Sequence, residues 1–243
     1  MVLDLFDTIV NWDANQLPTM EWRGRMIHST LPWILPIVER ALGSRVSQDV
    51  FLNAYTAVIE EINDVRERLG IEITCLERFE RTLDRIEITG SERHKLAEEL
   101  RNVHMAGVRR ITSAPAPRVE AIKRMAPRYR LGLLSNFDDT ETGYGVMDDT
   151  GVRNLFEAII ISAEVGLRKP NPRIFEQMLE KMDLGAGDVL FVGDTPHHDV
   201  AGSKAIGMSA AWINCHGAPM PEGLPAPDIV ISDLAELPSI LGC

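Results

Sequence analysis

Asp4 and Asp7 close the first apolar run of the chain, and Thr8 follows directly. Polar residues recur after three later apolar runs. Ser135 and Asn136 follow Leu133-Leu134, and Arg168-Lys169-Pro170-Asn171-Pro172 stands after Gly166-Leu167. Gly193-Asp194-Thr195-Pro196-His197-His198-Asp199 follows Phe191-Val192. Carboxylates, a hydroxyl and a lysine at the ends of apolar runs can hold a divalent cation and a phosphate together. A hard cation takes carboxylate, carbonyl and water oxygens, and a lysine supplies a compact positive charge against an anion. A carboxylate can also attack an electrophile and split one displacement into two easier steps. Each segment alone has a plainer reading. Asp and Ser-Asn are common in turns, and most lysines are solvated. Arg168 reads as surface. His197 and His198 read as solvated neighbours rather than as ligands of a transition metal.

The elements that would position these residues follow from hydrophobic patterning. Val2–Leu5, Tyr129–Leu134, Ala158–Ser162, Val189–Val192, Met208–Ile213 and Asp228–Ile231 are short apolar runs with little polar alternation, as in buried strands of a parallel sheet. Helical patterns fall between the later runs, over Arg118–Ala126, Asn171–Met182, Asp199–Ile206 and Leu234–Leu241. This alternation predicts an α/β fold with a doubly wound, Rossmann-like parallel sheet. Active sites of such sheets form beyond the carboxyl ends of the strands, where the polar segments lie.

The stretch from Trp12 to Thr112 has helical periodicity and almost no strand signal. Ser47 caps a helix running to Arg68 and closed by Gly70. Further helices are expected over Leu76–Arg85 and from Ser91 to Val108, and Pro115 and Pro117 mark the return to the α/β pattern. The expected division is a core of residues 1–11 and 113–243 with a helical insertion of residues 12–112.

Composition narrows the partners. With 45% hydrophobic and 25% charged residues, the 243-residue chain is that of an ordinary globular protein. A formal charge of −11 disfavours nucleic acid and anionic membranes. Cys75, Cys215 and Cys243 are odd in number and widely spaced, which indicates neither a disulfide framework nor a zinc site and suits a reducing, cytoplasmic location. Asp4 and Asp7 interrupt what would be the apolar stretch of a signal peptide, and no apolar run approaches the ~20 residues of a membrane helix. Only three residues precede Asp4, so the first strand is short and a start upstream of Met1 is one reading.

Taken in order, the four polar segments resemble the four motifs of the haloacid dehalogenase superfamily, and the insertion after the first resembles that family's cap domain. The resemblance implies an aspartate nucleophile at Asp4, with Lys169 neutralising charge beside it. Thr8, Ser135, the backbone amide of Asn136 and Lys169 would bind phosphate. Asp4, the backbone carbonyl of Phe6, Asp194 and Asp199 would hold Mg2+. Caps of this kind close over the site and set specificity. Within the insertion, Trp12, Trp22, Arg23, Arg25, His28 and Trp33 read one by one as core tryptophans and solvated cations, so the substrate stays open.

The chain departs from the family pattern at one position. Phosphatases of the superfamily carry a second aspartate two residues after the nucleophile, which protonates the leaving group and activates water. Here that residue is Phe6, and such acid–base help is typically worth about 10²–10⁴ in rate. Asp7 is one residue too far along. The family's 2-haloacid dehalogenases also lack this aspartate and carry an aromatic residue there, since a halide leaves without a proton. They need no metal and usually replace the Gly-Asp of the fourth motif, whereas Gly193-Asp194 is intact. The expectation is a hydrolase acting as a Mg2+-dependent phosphatase on a small phosphorylated metabolite, slowed by Phe6. The alternatives are a 2-haloacid dehalogenase-type hydrolase and a binding protein whose catalysis has decayed.

Overall fold

A computed structural model describes residues 1–243 apart from the side chain of Ser44. The chain divides into two compact units. The first comprises Met1–Trp12, Gly70–Glu72 and Ser113–Cys243; the second comprises Asp13–Leu69 and Ile73–Thr112.

The first unit is built on a six-stranded parallel sheet. Its strands are β1 (Val2–Leu3), β2 (Leu131–Ser135), β3 (Phe156–Ile161), β4 (Leu190–Gly193), β5 (Ser209–Ile213) and β6 (Ile229–Ile231), in the order β6-β5-β4-β1-β2-β3. This is the α/β architecture expected from the alternating pattern. The central strands are short and continuously apolar because helices cover both faces; all five residues of β2 are buried. Val2, Leu134, Ile160, Phe175, Met178, Met182 and Phe191 form one packed cluster between sheet and helix. Gly132 makes room in β2 for this packing, since a Cβ there would lie 2.6 Å from the sulfur of Met182 and push that side chain aside.

The register sets the chemistry. Leu3 of β1 lies opposite Leu133 of β2 and Val192 of β4. The amide of Asp4 then donates to the carbonyl of Val192 at 2.9 Å, which carries the ladder one residue past β1. Asp4 is therefore level with the ends of β2 and β4, and the polar residues that follow those strands emerge beside it.

The second unit holds four helices: α1 (Leu31–Leu42), α2 (Gln48–Leu69), α3 (Cys75–Arg85) and α4 (Gly90–Arg110). Thr74 caps α3 by accepting the amide hydrogen of Glu77. Tyr55 of α2 stacks on Phe79 of α3 with centroids 5.6 Å apart, inside a core that includes Phe51 and Leu100. No strand is expected here from the apolar pattern, but Thr19–Trp22 and Arg25–His28 pair as an antiparallel hairpin. Its two-residue turn, Arg23-Gly24, has positive φ at both positions (51° and 73°), the geometry that matches the twist of paired strands. Hydrophobic periodicity does not register a hairpin whose strands carry so few buried apolar residues.

Two helices likewise lack a clear periodic signal. α1 contains Pro32 in its first turn and Pro36 in its interior. In the first unit, α5 (Ala116–Met125) is followed by α6 (Thr140–Thr150). The weak helix formers Gly143 and Gly145 obscure α6, which is fixed by Asp139 accepting from the Thr142 amide and by Gly151 in the left-handed conformation. Asn171 caps α7 (Pro172–Met182), whose first residue is proline. The helix expected over Asp199–Ile206 begins earlier, as a π-helical stretch from Pro196 to Ala201, and becomes α-helical over Gly202–Ala205.

Candidate active site

Four loops at the carboxyl edge of the sheet enclose a cavity of about 210 Å³ lined by Asp4, Phe6, Asp7, Asn136, Arg168, Lys169, Asp194, Thr195, His198 and Asp199. Lys169, 1% exposed, is the hub. Its Nζ donates to Oδ1 of Asp4 at 2.8 Å and lies 2.7 Å from Oδ1 of Asp199. The Lys169 backbone is clasped by Asn136, whose side-chain oxygen accepts its amide hydrogen (2.8 Å) and whose side-chain nitrogen donates to its carbonyl (2.9 Å). The Asn136 side chain thus fastens the loop after β2 to the lysine loop.

Asp199 is 1% exposed. Its Oδ2 accepts from the Thr195 amide at 2.9 Å while Oδ1 meets Lys169. Gly193 makes this possible, because a Cβ at that position would fall 2.3 Å from the same Oδ2. Asp194 is held through its carbonyl, which accepts the indole N–H of Trp212 at 2.9 Å. Asp4, Asp194 and Asp199 each offer a carboxylate oxygen within 4.8 Å of the others.

Crowding perturbs these groups. Burial raises the Asp4 carboxyl to about 6, Lys169 opposing the shift and Asp199 adding to it. Burial raises Asp194 to about 7, reinforced by Asp199 and Asp4. Burial by itself would lower the Lys169 ammonium, but Asp199 and Asp4 more than reverse this, so its pKa is raised. The lining holds four carboxylates against one lysine and one arginine. An all-oxygen donor set with an excess of negative charge fits a hard divalent cation such as Mg2+.

Not every expected residue lines the cavity. The Thr8 and Ser135 hydroxyls are buried and have no hydrogen-bond partner among the described residues. Two residues read as solvated do line it. Arg168 is partly buried, its side chain 17% exposed. His198 is half-buried, and burial lowers its pKa to about 4; His197 is exposed as read. For Arg168 the one available signal was its place beside Lys169. Phe6 meets Phe137 (4.8 Å between centroids) and Trp12 (5.1 Å), giving the cavity an aromatic wall. Asp7 does not replace the missing acid: its Oδ1 accepts from the Trp12 amide at 3.1 Å.

The family model for haloacid dehalogenase-like hydrolases matches residues 1–207. The chain belongs to that family. Among curated relatives it is similar to pyrimidine 5'-nucleotidase YjjG of Escherichia coli, 40% identical over 96 residues, which are 39% of this chain and 42% of the relative. It is 34% identical over 119 residues to haloacetate dehalogenase H-2 of Moraxella, 48% of this chain and 52% of that one. Each match therefore spans only about half of either protein. Among solved structures, the fold is similar to a 2-haloacid dehalogenase from Pseudomonas syringae, with a TM-score of 0.73 at 20% identity over 99% of this chain and 96% of the other. A HAD phosphatase from Thermococcus onnurineus gives 0.63 at 22% identity over 99% and 96%. Among the described residues, no helix is long and apolar enough to cross a membrane.

Proposed function

We propose that this hydrolase cleaves phosphate monoesters of small metabolites with the help of Mg2+. The observation that carries the reading is the carboxylate trio, with Asp194 raised to about 7 beside a nucleophile candidate already bound to lysine. An extra carboxylate facing Asp4 with no cation between them would raise its pKa and blunt it as a nucleophile. Asp4, Asp194 and the Phe6 carbonyl would hold the ion. Asp199, expected among the ligands, has its two oxygens on Lys169 and the Thr195 amide and would add negative charge to the site while anchoring those two residues. When bound, the ion would screen the carboxylates and polarise a phosphate oxygen.

In this reading Lys169 fixes Oδ1 of Asp4, and the other carboxylate oxygen attacks phosphorus. The ester P–O bond breaks as the new bond forms, and the leaving group departs as alkoxide or phenolate and takes its proton from solvent water. Water then attacks the acyl phosphate and releases inorganic phosphate with regeneration of Asp4. The hydroxyls of Ser135 and Thr8 and the amide of Asn136 would donate to phosphate oxygens, the two hydroxyls having no other partner among the described residues. No side chain at position 6 can protonate the departing oxygen, so substrates with weakly basic leaving groups turn over fastest. The insertion of residues 12–112 would act as the cap. The strong negative charge suits a small-molecule substrate better than nucleic acid, and three free, widely spaced cysteines suit a reducing, cytoplasmic setting.

A second reading, 2-haloacid dehalogenation, draws on the aromatic wall of Phe6, Trp12 and Phe137, and the Moraxella relative is a dehalogenase. The test is turnover of p-nitrophenyl phosphate and of 2-chloropropionate, each with Mg2+ and with EDTA. The phosphatase reading expects Mg2+-dependent nitrophenol release that Asp4→Asn abolishes with the fold intact. Chloride release insensitive to EDTA, with no nitrophenol, would replace it by the dehalogenase reading.

A further inference from the structure

Glu72 lies between α2 and α3 in sequence, yet it belongs to the first unit with Gly70 and Ile71. These three residues run antiparallel to the stretch that leads into Lys169. The Glu72 amide donates to the Gly166 carbonyl and the Arg168 amide to the Gly70 carbonyl, both at 3.0 Å, with Ile71 bridged to Leu167. Gly70 has φ +61°, and a Cβ there would sit 2.8 Å from that of Asn171. The segment can lie this close only because that residue is glycine.

The Glu72 side chain is 1% exposed. A carboxylate is rarely buried to that degree unless it is paired. Nη1 of Arg168 lies 3.3 Å from each of its oxygens, and Oε2 accepts the hydroxyl of Ser162 at 2.6 Å. That hydroxyl in turn accepts the Phe137 amide hydrogen at 2.8 Å. One carboxylate thus reaches both flanks of the cavity: the cation beside Lys169, and the loop whose Phe137 ring backs Phe6.

We propose that Glu72 is a positioning residue that presets the Arg168 guanidinium in the cavity as a second cation for the anionic group of the substrate. The assignment rests on the reading of this cavity as the phosphate-ester site. One guanidinium nitrogen is committed to Glu72, which fixes the plane of a group carrying five N–H donors. A substrate oxyanion then meets an oriented fork instead of a long, freely rotating side chain, so the benefit appears in binding. Because the loss is one of orientation at a charged contact, it amounts to roughly tenfold in affinity.

Two measurements test this. The first needs no substrate: the Arg168 side-chain Nε–H resonance of 15N-labelled protein, assigned by its loss in Arg168→Lys. It is expected to be resolved in the wild type and averaged with solvent-exposed arginines in Glu72→Gln, while Glu72→Asp retains part of its dispersion. An unchanged resonance in Glu72→Gln overturns the proposal. The second is kinetics on p-nitrophenyl phosphate with Mg2+. Glu72→Gln is expected to raise KM roughly tenfold with kcat nearly unchanged, Arg168→Ala to do the same, and the double variant to be no worse than Arg168→Ala alone. A fall in kcat at constant KM, or additive losses, overturns it, since a purely structural role lowers the active fraction without touching KM. If Glu72→Gln does not fold, Glu72→Asp carries both readouts. Wild-type protein inert toward p-nitrophenyl phosphate would count against the phosphatase reading, and the resonance would still decide whether Glu72 orients Arg168.

Discussion

Replacing Lys169 by methionine removes one charge at nearly constant volume and isolates what that charge does. At 2.8 and 2.7 Å from its two carboxylate partners, each contact carries a gross attraction of roughly 6 kcal/mol at an effective dielectric of about 20. Taking three charges out of water offsets much of this. Removing one partner of a buried pair nonetheless costs about 3–5 kcal/mol, because the remaining charges stay buried without compensation. In Lys169→Met, Asp4 and Asp199 face each other with no cation, and they relieve the repulsion by binding a proton. Asp4, raised to about 6 even with Lys169 opposing the shift, is raised further, so folding takes up a proton and stability falls as pH rises through the interval between its unfolded and folded values. The deficit relative to wild type is therefore expected to be largest at pH 8 and reduced at pH 5. For a chain of this size 1 kcal/mol moves Tm by about 2–4 °C, which gives a deficit of roughly 10 °C at pH 8. Calorimetry in EDTA at both pH values measures it, alongside loss of turnover. An unchanged Tm at pH 8, or a deficit that grows on acidification, would refute the argument.

Phe6→Asp is expected to raise turnover of alkyl phosphates by up to about 10²-fold, with a smaller gain on p-nitrophenyl phosphate and a new ionisation in the pH–rate profile. It also gives up ring contacts with Phe137 and Trp12, so its Tm should fall; a folded variant with no gain on any ester would move the dehalogenase reading ahead. In metal-free protein, Asp194 at about 7 instead of 3.8 makes stability decline between pH 4 and pH 7, by on the order of a few kcal/mol. A Tm series in EDTA that is flat or rising over that range would contradict the shift. Mg2+ should raise Tm at pH 8 with the logarithm of its concentration above Kd, and Asp194→Asn should abolish that response; a response that survives the substitution would place the ion elsewhere.

How far the sequence could be read depended on whether the signal was local. Strand ends followed by polar residues are local, and they located Asp4, Asn136, Lys169, Asp194 and Asp199 around one cavity. Parallel register then does the assembly, since every strand delivers its next residue to the same edge. Arg168 and Glu72 are 96 positions apart, and nothing in the spacing of either indicates the other. Their contact arises from the strand-like run of Gly70–Glu72, too short for a periodicity to register. The hairpin at Thr19–His28 and α6 were hidden for a different reason: turn and capping geometry fix them more than apolar patterning does. Asn136 shows a third limit. Its position was legible, but its side chain serves as a clasp on the lysine loop, a role that only the hydrogen bonds reveal.

The path of the chain through Gly70–Glu72 constrains how this protein can be cut and recombined. Family members of this kind invite exchange of the whole insertion as a cassette, with junctions placed near Trp12 and Ser113. Such an exchange would carry away Glu72 and the two residues before it, although they belong with the sheet. The recipient would lose the acceptor of the Ser162 hydroxyl and the carboxylate beside Arg168. A chimera would therefore need two donor pieces, spanning 13–69 and 73–112, with the three native residues kept between them. Modularity here is interrupted, and the boundary that matters for grafting is not the one that the linear order of the chain suggests.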